Sequence, residues 1–124
     1  MLLTGIDIVE IERFEKSFAR ESFFEKTYGE IEKEYLEKLS DNRKIQSAAA
    51  FFAAKEAFGK AFGQGIFKYP LSLVQVAHRK SGRPYLVIDK KVAETVDFKD
   101  FQIDISLSHS ENFAVAVVTA FGGD

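Results

Sequence analysis

The sequence predicts an α+β fold in which a small, mainly antiparallel sheet packs on one long central helix. Three segments predict it: a β-branched opening from Leu2 to Ile11, an Ala-rich run from Arg43 to Phe62, and an alternating segment from Phe101 to Ser108. A chain of 124 residues can bury a real core but has no room for a second one. We therefore expect a single domain over residues 1–124.

The composition excludes several classes of function. Lys and Arg number 17 against 19 Asp and Glu, so the net charge of −2 gives no overall attraction to nucleic acid. The longest uncharged stretch, from Asn112 to Gly123, is too short to span a bilayer as a helix. Cysteine is absent, which excludes disulfides and thiolate metal sites and is typical of a cytoplasmic protein. We expect neither nucleic-acid nor membrane partners.

The opening strand carries a charged residue in its middle. Asp7 lies between Ile6 and Ile8, so its side chain points to the face opposite both. Two interpretations stay open: an exposed carboxylate on an edge strand, or a functional carboxylate.

Helices are expected from Glu12 to about Glu37, with an interruption near Tyr28-Gly29. Arg13, Lys16 and Arg20 fall at i, i+3 and i+7, which predicts three cations on one helical face. Glutamates nearby favour an ordinary solvated face, and the alternative is a docking patch for an acidic partner.

The central helix follows capping residues at Ser40-Asp41-Asn42 and ends at Gly63-Gln64-Gly65. Glu56 and Lys60 share one of its faces with small and aromatic residues that should be buried. They form either an ordinary i,i+4 pair or part of a site. The glycine turn is either a helix C-cap or a run of backbone amides that approaches a phosphate.

The second half predicts strands and turns. Strands from Leu73 to His78 and from Tyr85 to Ile88 flank a turn, and Asp89 caps a short helix from Lys90 to Val96. A strand from Phe101 to Ser108 is joined by a turn to a buried strand from Phe113 to Phe121. His109 is expected at the tip or shoulder of this hairpin. It is either a structural residue, or a proton shuttle or phosphate ligand.

If the first strand packs beside the central helix, Asp7 and Glu56 converge with Lys60 next to them. Two carboxylates suit a hard cation such as Mg²⁺, which leaves positions for water and phosphate oxygens. A lysine there neutralises charge that develops on a leaving phosphate. This is the logic of a phosphoryl-transfer or phosphodiester-transfer site.

Four motifs carry a resemblance that covers the chain from end to end. They are Gly5-Ile6-Asp7-Ile8 with Arg13, then Phe52-Ala53-Ala54-Lys55-Glu56-Ala57 with Lys60-Ala61-Phe62-Gly63 and Gly65, then Gly82-Arg83-Pro84, and last Ile105-Ser106-Leu107-Ser108-His109-Ser110. In this order and spacing they resemble the holo-acyl-carrier-protein synthases.

The resemblance implies a 4'-phosphopantetheinyl transferase of fatty acid biosynthesis. Such an enzyme moves the phosphopantetheine arm of coenzyme A onto a serine of apo acyl carrier protein and releases adenosine 3',5'-bisphosphate. The family's α+β fold forms a homotrimer with sites at the subunit interfaces. A trimer would also bury part of the surface of the 13 Phe residues.

The resemblance also implies a role for each matched residue. Asp7 and Glu56 would hold Mg²⁺, Lys60 would steady the phosphates, and Glu56, directly or through a water, is a candidate base for the serine proton. His109 would be a ligand of the coenzyme's nucleotide end or an alternative base, and Gly65 would pass close to the coenzyme. The remaining matches are Arg43 and Pro84 near the nucleotide, and Arg13, Lys16 and Arg20 as the docking face for the carrier protein.

Three positions depart from the family pattern. Phe51 stands where the family often has Arg, Thr4 where a second glycine is common, and Phe67 follows the glycine turn. Two other functions compete with the transferase: a Mg²⁺-dependent nucleotide or pyrophosphate hydrolase that uses the same three residues on water, and a non-catalytic module that binds carrier protein or coenzyme A.

Overall fold

The chain begins with a strand and three short helices, continues through one long helix, and ends with two hairpins. The computed structural model describes residues 1–63 and 68–123. The elements are β1 (Leu2–Glu10), α1 (Ile11–Phe18), α2 (Glu21–Thr27), α3 (Glu30–Glu37), α4 (Asp41–Ala61), β2 (Val74–His78), β3 (Pro84–Ile88), β4 (Phe101–His109) and β5 (Phe113–Gly122). Short 3₁₀ turns at Leu71–Leu73 and Lys90–Glu94 precede β2 and follow β3.

The strands form two antiparallel sheets beside one central helix, so the predicted α+β fold is confirmed. The larger sheet has the order β1-β5-β4, and the smaller one is the hairpin β2-β3. The alternation predicted for β4 is observed, because Ile105 faces α4 and is buried while Ser106 is exposed. The predicted helix after Asp89 is a 3₁₀ turn, and the Asp89 side chain accepts a hydrogen bond from the Lys91 amide as expected of a cap.

Helix α4 is the middle layer of the fold. Its sheet side packs on small buried residues of β5, such as Ala116 and Val118. Its other side packs on α3 and β2 through larger residues that include Phe51. At its end Gly63 takes a φ of 74°, the left-handed conformation of a helix C-cap, which was one of the two interpretations of the glycine turn.

The prediction of three cations on one helical face is wrong for Arg20. Helix α1 ends at Phe18, and Arg20 has the extended backbone of a residue that precedes α2. The chain turns here because α1 and α2 pack aromatic rings against each other. Phe14 and Phe23 have ring centroids 5.7 Å apart, and Phe18 and Phe24 are also 5.7 Å apart. Arg13 and Lys16 stay together on α1, and all three cations are exposed.

No helix in the described part of the chain has the length and apolar character needed to cross a membrane.

Candidate active site

The first carboxylate of the candidate site lies on the helix-facing side of β1. Val9 and Gly5 share this side with Asp7 and are buried, whereas Ile6 and Ile8 on the opposite side are 57% and 62% exposed. Asp7 can approach α4 because Gly5 has no side chain. A Cβ built on Gly5 would overlap the backbone of Ala57. Asp7 is therefore not an exposed edge carboxylate; only 17% of its side chain is exposed.

Lys60 connects the last turn of α4 to β1. Its ammonium donates hydrogen bonds to Asp7 Oδ1 at 3.0 Å and to the Ile6 carbonyl at 3.1 Å. The Lys60 side chain is 55% exposed, so its ammonium is hydrated and able to exchange partners. The packing of β1 beside α4 that the sequence argument assumed is thus observed.

Glu56 lies one turn before Lys60 and is partly buried. Burial raises the pKa of the Glu56 carboxyl, the negative charge of Asp7 raises it further, and the Lys60 ammonium opposes both effects. The pKa of Tyr69 is raised to about 12 by burial and by the Glu56 charge. The carboxylates of Asp7 and Glu56 are therefore close enough to repel each other.

Asp7 and Glu56 line a cavity of about 490 Å³. The rings of Phe14, Phe23 and Phe52 line it as well, and Arg13 of α1 contributes a cation. Phe52 contacts both other rings, with centroids 5.7 Å from Phe14 and 5.6 Å from Phe23. The cavity therefore combines an acidic region with an aromatic wall and a cationic side chain.

The donors at this site fit a magnesium ion that also binds a phosphorylated substrate. No group of three or more His, Cys, Asp or Glu that could hold a metal occurs among the described residues. Mg²⁺ is usually held by one or two carboxylates plus waters and substrate phosphates, so two carboxylates beside an open cavity suffice. A divalent cation would also relieve the repulsion between Asp7 and Glu56.

Other predicted site residues lie apart from this cavity. Arg43 is exposed in the first turn of α4, about 20 Å along the helix axis from Glu56 at 1.5 Å per residue. Pro84 begins β3, and His109 ends β4 in register with Ala114 rather than lying in the turn. Lys16 and Arg20 do not line the cavity either. Gly65 and Phe67 lie outside the described residues.

Most of the sequence matches the model of a known protein family. The profile of the 4'-phosphopantetheinyl transferase superfamily matches residues 4–118. The chain belongs to this superfamily.

Named relatives of this superfamily member are holo-[acyl-carrier-protein] synthases. That of Fusobacterium nucleatum is 36% identical over 115 residues, covering 91% of this chain and 93% of the relative. That of Treponema denticola is 39% identical over 119 residues, covering 95% and 96%.

Solved structures of such synthases share the fold. The Bacillus anthracis enzyme in complex with CoA (3',5'-ADP) has a TM-score of 0.83 at 33% identity, covering 98% of this chain and 96% of that one. The Helicobacter pylori enzyme in complex with coenzyme A has a TM-score of 0.81 at 32% identity, covering 96% and 100%.

Two of the residues that depart from the resemblance, Phe51 and Thr4, lie away from the candidate site. Phe51 is 2% exposed and packs against Tyr35 and His78, with ring centroids 5.6 Å and 5.7 Å away. It lies on the side of α4 that faces α3 and the β2-β3 hairpin, whereas Glu56 faces β1. Thr4 is on the exposed face of β1. Neither side chain lines the Asp7–Glu56 cavity.

Sequence reasoning missed two residues next to the site. Tyr69 interacts electrostatically with Glu56, and no motif pointed to it. Lys55 is fully buried with Glu32, although the sequence argument treated it only as part of a motif. The signal was present, because a lysine in a run of Ala and Phe needs a buried partner if that face is packed.

Proposed function

We propose that the chain is a holo-acyl-carrier-protein synthase, which transfers 4'-phosphopantetheine from coenzyme A to a serine of apo acyl carrier protein. The observation that carries this proposal is that Asp7 and Glu56 line one cavity while Lys60 donates a hydrogen bond to Asp7, in a chain that belongs to the superfamily. The other product is adenosine 3',5'-bisphosphate.

Asp7, Glu56 and Lys60 have different roles in the proposed reaction. The serine oxygen bonds to the phosphorus that carries pantetheine, and the bond from that phosphorus to the leaving nucleotide phosphate breaks. Asp7 and Glu56 are the ligands that would hold Mg²⁺, which neutralises pyrophosphate charge when bound. The ammonium of Lys60 is placed to stabilise the negative charge that develops on the leaving phosphate.

Glu56 is also the candidate acceptor of the serine proton. Its position supports this role, because it lines the open cavity beside Asp7, where the serine would enter.

We also propose a homotrimer whose sites lie between subunits. On the outer face of the larger sheet, the neighbouring strands β1 and β5 carry exposed apolar side chains: Leu2, Ile6, Ile8 and Phe121 are 67%, 57%, 62% and 62% exposed. An exposed apolar patch of this kind is typical of an interface. Arg43, about 20 Å from Glu56 within one chain, would then bind the nucleotide end of the coenzyme on a neighbour's site, together with His109 and Pro84. Gly65 would pass close to the coenzyme.

Arg13, Lys16 and Arg20 are proposed to dock the acidic carrier protein. Arg13 supports this proposal because it lines the cavity that holds Asp7 and Glu56, so a docked carrier would bring its serine to the carboxylates. We place the reaction in fatty acid biosynthesis in the cytoplasm, consistent with a chain that has no cysteine.

The test is the intact mass of apo acyl carrier protein after incubation with this protein, coenzyme A and Mg²⁺, with a chelator control. The expected result is a mass increase of one phosphopantetheine that the chelator abolishes. Consumption of coenzyme A without a change in carrier mass would favour the hydrolase. Carrier binding without consumption of coenzyme A would favour the non-catalytic module.

A further inference from the structure

Lys55 and Glu32 form an ion pair whose side chains are both 0% exposed, with Lys55 Nζ 2.6 Å from Glu32 Oε1. The ammonium also donates to the carbonyls of Val74 at 2.6 Å and Leu71 at 3.1 Å. All three of its protons therefore have acceptors.

The carboxylate of Glu32 is equally well satisfied. Its Oε2 accepts from the Val76 amide at 3.0 Å, and its Oε1 accepts from the Gly29 amide at 3.1 Å. The pair thus ties α4 to the start of α3 and to the chain that enters β2.

Such a pair is costly to bury. Both side chains are fully excluded from water, so desolvation opposes both charges even though each supports the other. Desolvation therefore offsets much of the stability that the pair contributes, and its directional hydrogen bonds point to a second reason for it.

The surface of α4 supplies that reason. Seven of its buried residues are alanines: Ala48, Ala49, Ala50, Ala53, Ala54, Ala57 and Ala61. Small side chains give shallow ridges, so packing over these alanines, unlike the packing of Phe51 and Phe58, specifies the position of this helix along its axis only weakly. Hydrogen bonds are directional, and the three from Lys55 specify that position.

The axial position of α4 matters for the candidate site because Lys55 immediately precedes Glu56. Lys55 points to α3 and β2, while Glu56 points to β1 and Asp7. A slip of one residue would move Glu56 about 1.5 Å along the axis. Metal–ligand distances must be held within about 0.2 Å.

We propose that the buried Glu32–Lys55 pair is a positioning pair, which fixes the axial register of α4 and so places the Glu56 carboxylate beside Asp7 to bind a divalent cation. This inference rests on the proposed function, in which Asp7 and Glu56 are the metal ligands.

The test is direct binding of Mn²⁺, followed by electron paramagnetic resonance, to the wild-type protein and to the variant E32Q/K55M. The matched control is E25Q/K33M, which removes a solvent-accessible pair with an N–O distance of 2.7 Å that also involves α3. We expect E32Q/K55M to fold and to bind Mn²⁺ about tenfold more weakly or worse, with the control within about twofold of wild type.

Wild-type Mn²⁺ affinity in folded E32Q/K55M would overturn the inference. If that variant does not fold, the variant E32D tests the inference instead, because it keeps both charges but shortens the side chain of residue 32 by one methylene. We expect E32D to bind Mn²⁺ several-fold more weakly, and an unchanged affinity would overturn the inference. A wild-type protein that binds Mn²⁺ but transfers nothing in the mass assay would instead contradict the proposed function.

Discussion

The ammonium of Lys60 lies 3.0 Å from a carboxylate oxygen of Asp7, across the junction of α4 and β1. With the Lys60 side chain more than half exposed, this contact adds little to stability. Its importance is that it holds a mobile cation beside two carboxylates that repel each other. In the proposed function, Asp7 would be a ligand of Mg²⁺, and the ammonium of Lys60 would then be free to contact a phosphate.

We expect Lys60→Met to lower kcat about 100-fold, because the charge on the leaving phosphate loses its cation. Thermal stability should change by less than about 1 kcal/mol, since the lost pair is solvent-exposed. The intact mass of the carrier protein, followed over time, measures kcat. A melting curve measures the thermal stability. Wild-type kcat in the folded variant would remove Lys60 from the chemistry.

We expect Glu56→Gln to stabilise the metal-free protein at neutral pH. The folded pKa of Glu56 lies above the ordinary value of 4.5, so the unfolded chain gives up this proton first as the pH rises. Stability is therefore lost between the ordinary pKa and the raised folded one, and Gln avoids that loss. The gain should be at most about 1 kcal/mol, because water screens a partly exposed group.

Denaturant melts at pH 4 and pH 7.5 measure this effect. The two proteins should be equal at the lower pH, and Glu56→Gln should be more stable at the higher one. Saturating Mg²⁺ should stabilise the wild type alone. If the variant is instead less stable than the wild type at pH 7.5, then burial and the charge of Asp7 do not destabilise the ionised Glu56 carboxylate.

We expect Gly5→Ala to destabilise the protein by about 3 kcal/mol or more. The added methyl meets the backbone of Ala57 and Ala61, which cannot yield as a flexible side chain can. Gly63→Ala is the matched control. Its Cβ meets nothing within 4 Å, and only the φ of 74° opposes it, at about 1 kcal/mol. Denaturant unfolding of both variants tests the close approach of β1 to α4.

We expect Arg13→Glu to raise the KM for carrier protein about tenfold with a smaller change in kcat, since exposed charges steer and hold a charged partner. In the wild type, the same KM should rise with salt, because the screening length is about 8 Å at physiological ionic strength. Lys90→Glu, an exposed change distant in sequence, is the control. A KM for carrier that is independent of salt would argue against this docking face.

Most of the fold could be predicted because its patterns are local. The alternation of β4, the two ends of α4 and the turn between β2 and β3 each depend on neighbouring residues, although Ser40 at the start of α4 makes no side-chain capping hydrogen bond. That Arg20 lies outside α1 could not be predicted. The turn after Phe18 is determined by packing between Phe18 and Phe24, which belong to different helices. Spacing along one helix says nothing about where that helix ends.

The orientation of β1 shows a second limit of the sequence. Alternation placed Asp7 opposite Ile6 and Ile8 but could not say which face α4 covers. The structure turns the carboxylate inward and leaves the isoleucines exposed, the reverse of a strand that buries its apolar face against its own chain. Gly5 determines this orientation, because only the face of β1 that carries Gly5 can approach the backbone of Ala57.

Mixing two inactive variants tests whether the site is shared between subunits. Glu56→Gln lacks the base, and Arg43→Glu lacks the proposed nucleotide contact about 20 Å away along the same helix. In randomly reassembled trimers from an equal mixture, about a quarter of the interfaces would pair an intact Glu56 with an intact Arg43 on its neighbour. We therefore expect about a quarter of wild-type transfer activity after the two variants are refolded together.

The matched control is a mixture of Glu56→Gln and Asp7→Asn. Asp7 and Glu56 line the same cavity of one chain, so no arrangement of these subunits restores both carboxylates to one site. This mixture should stay inactive, whatever the oligomeric state. Equal recovery in both mixtures would mean that Asp7 and Glu56 act from different chains. No recovery from the first mixture would mean that Arg43 serves its own chain or none.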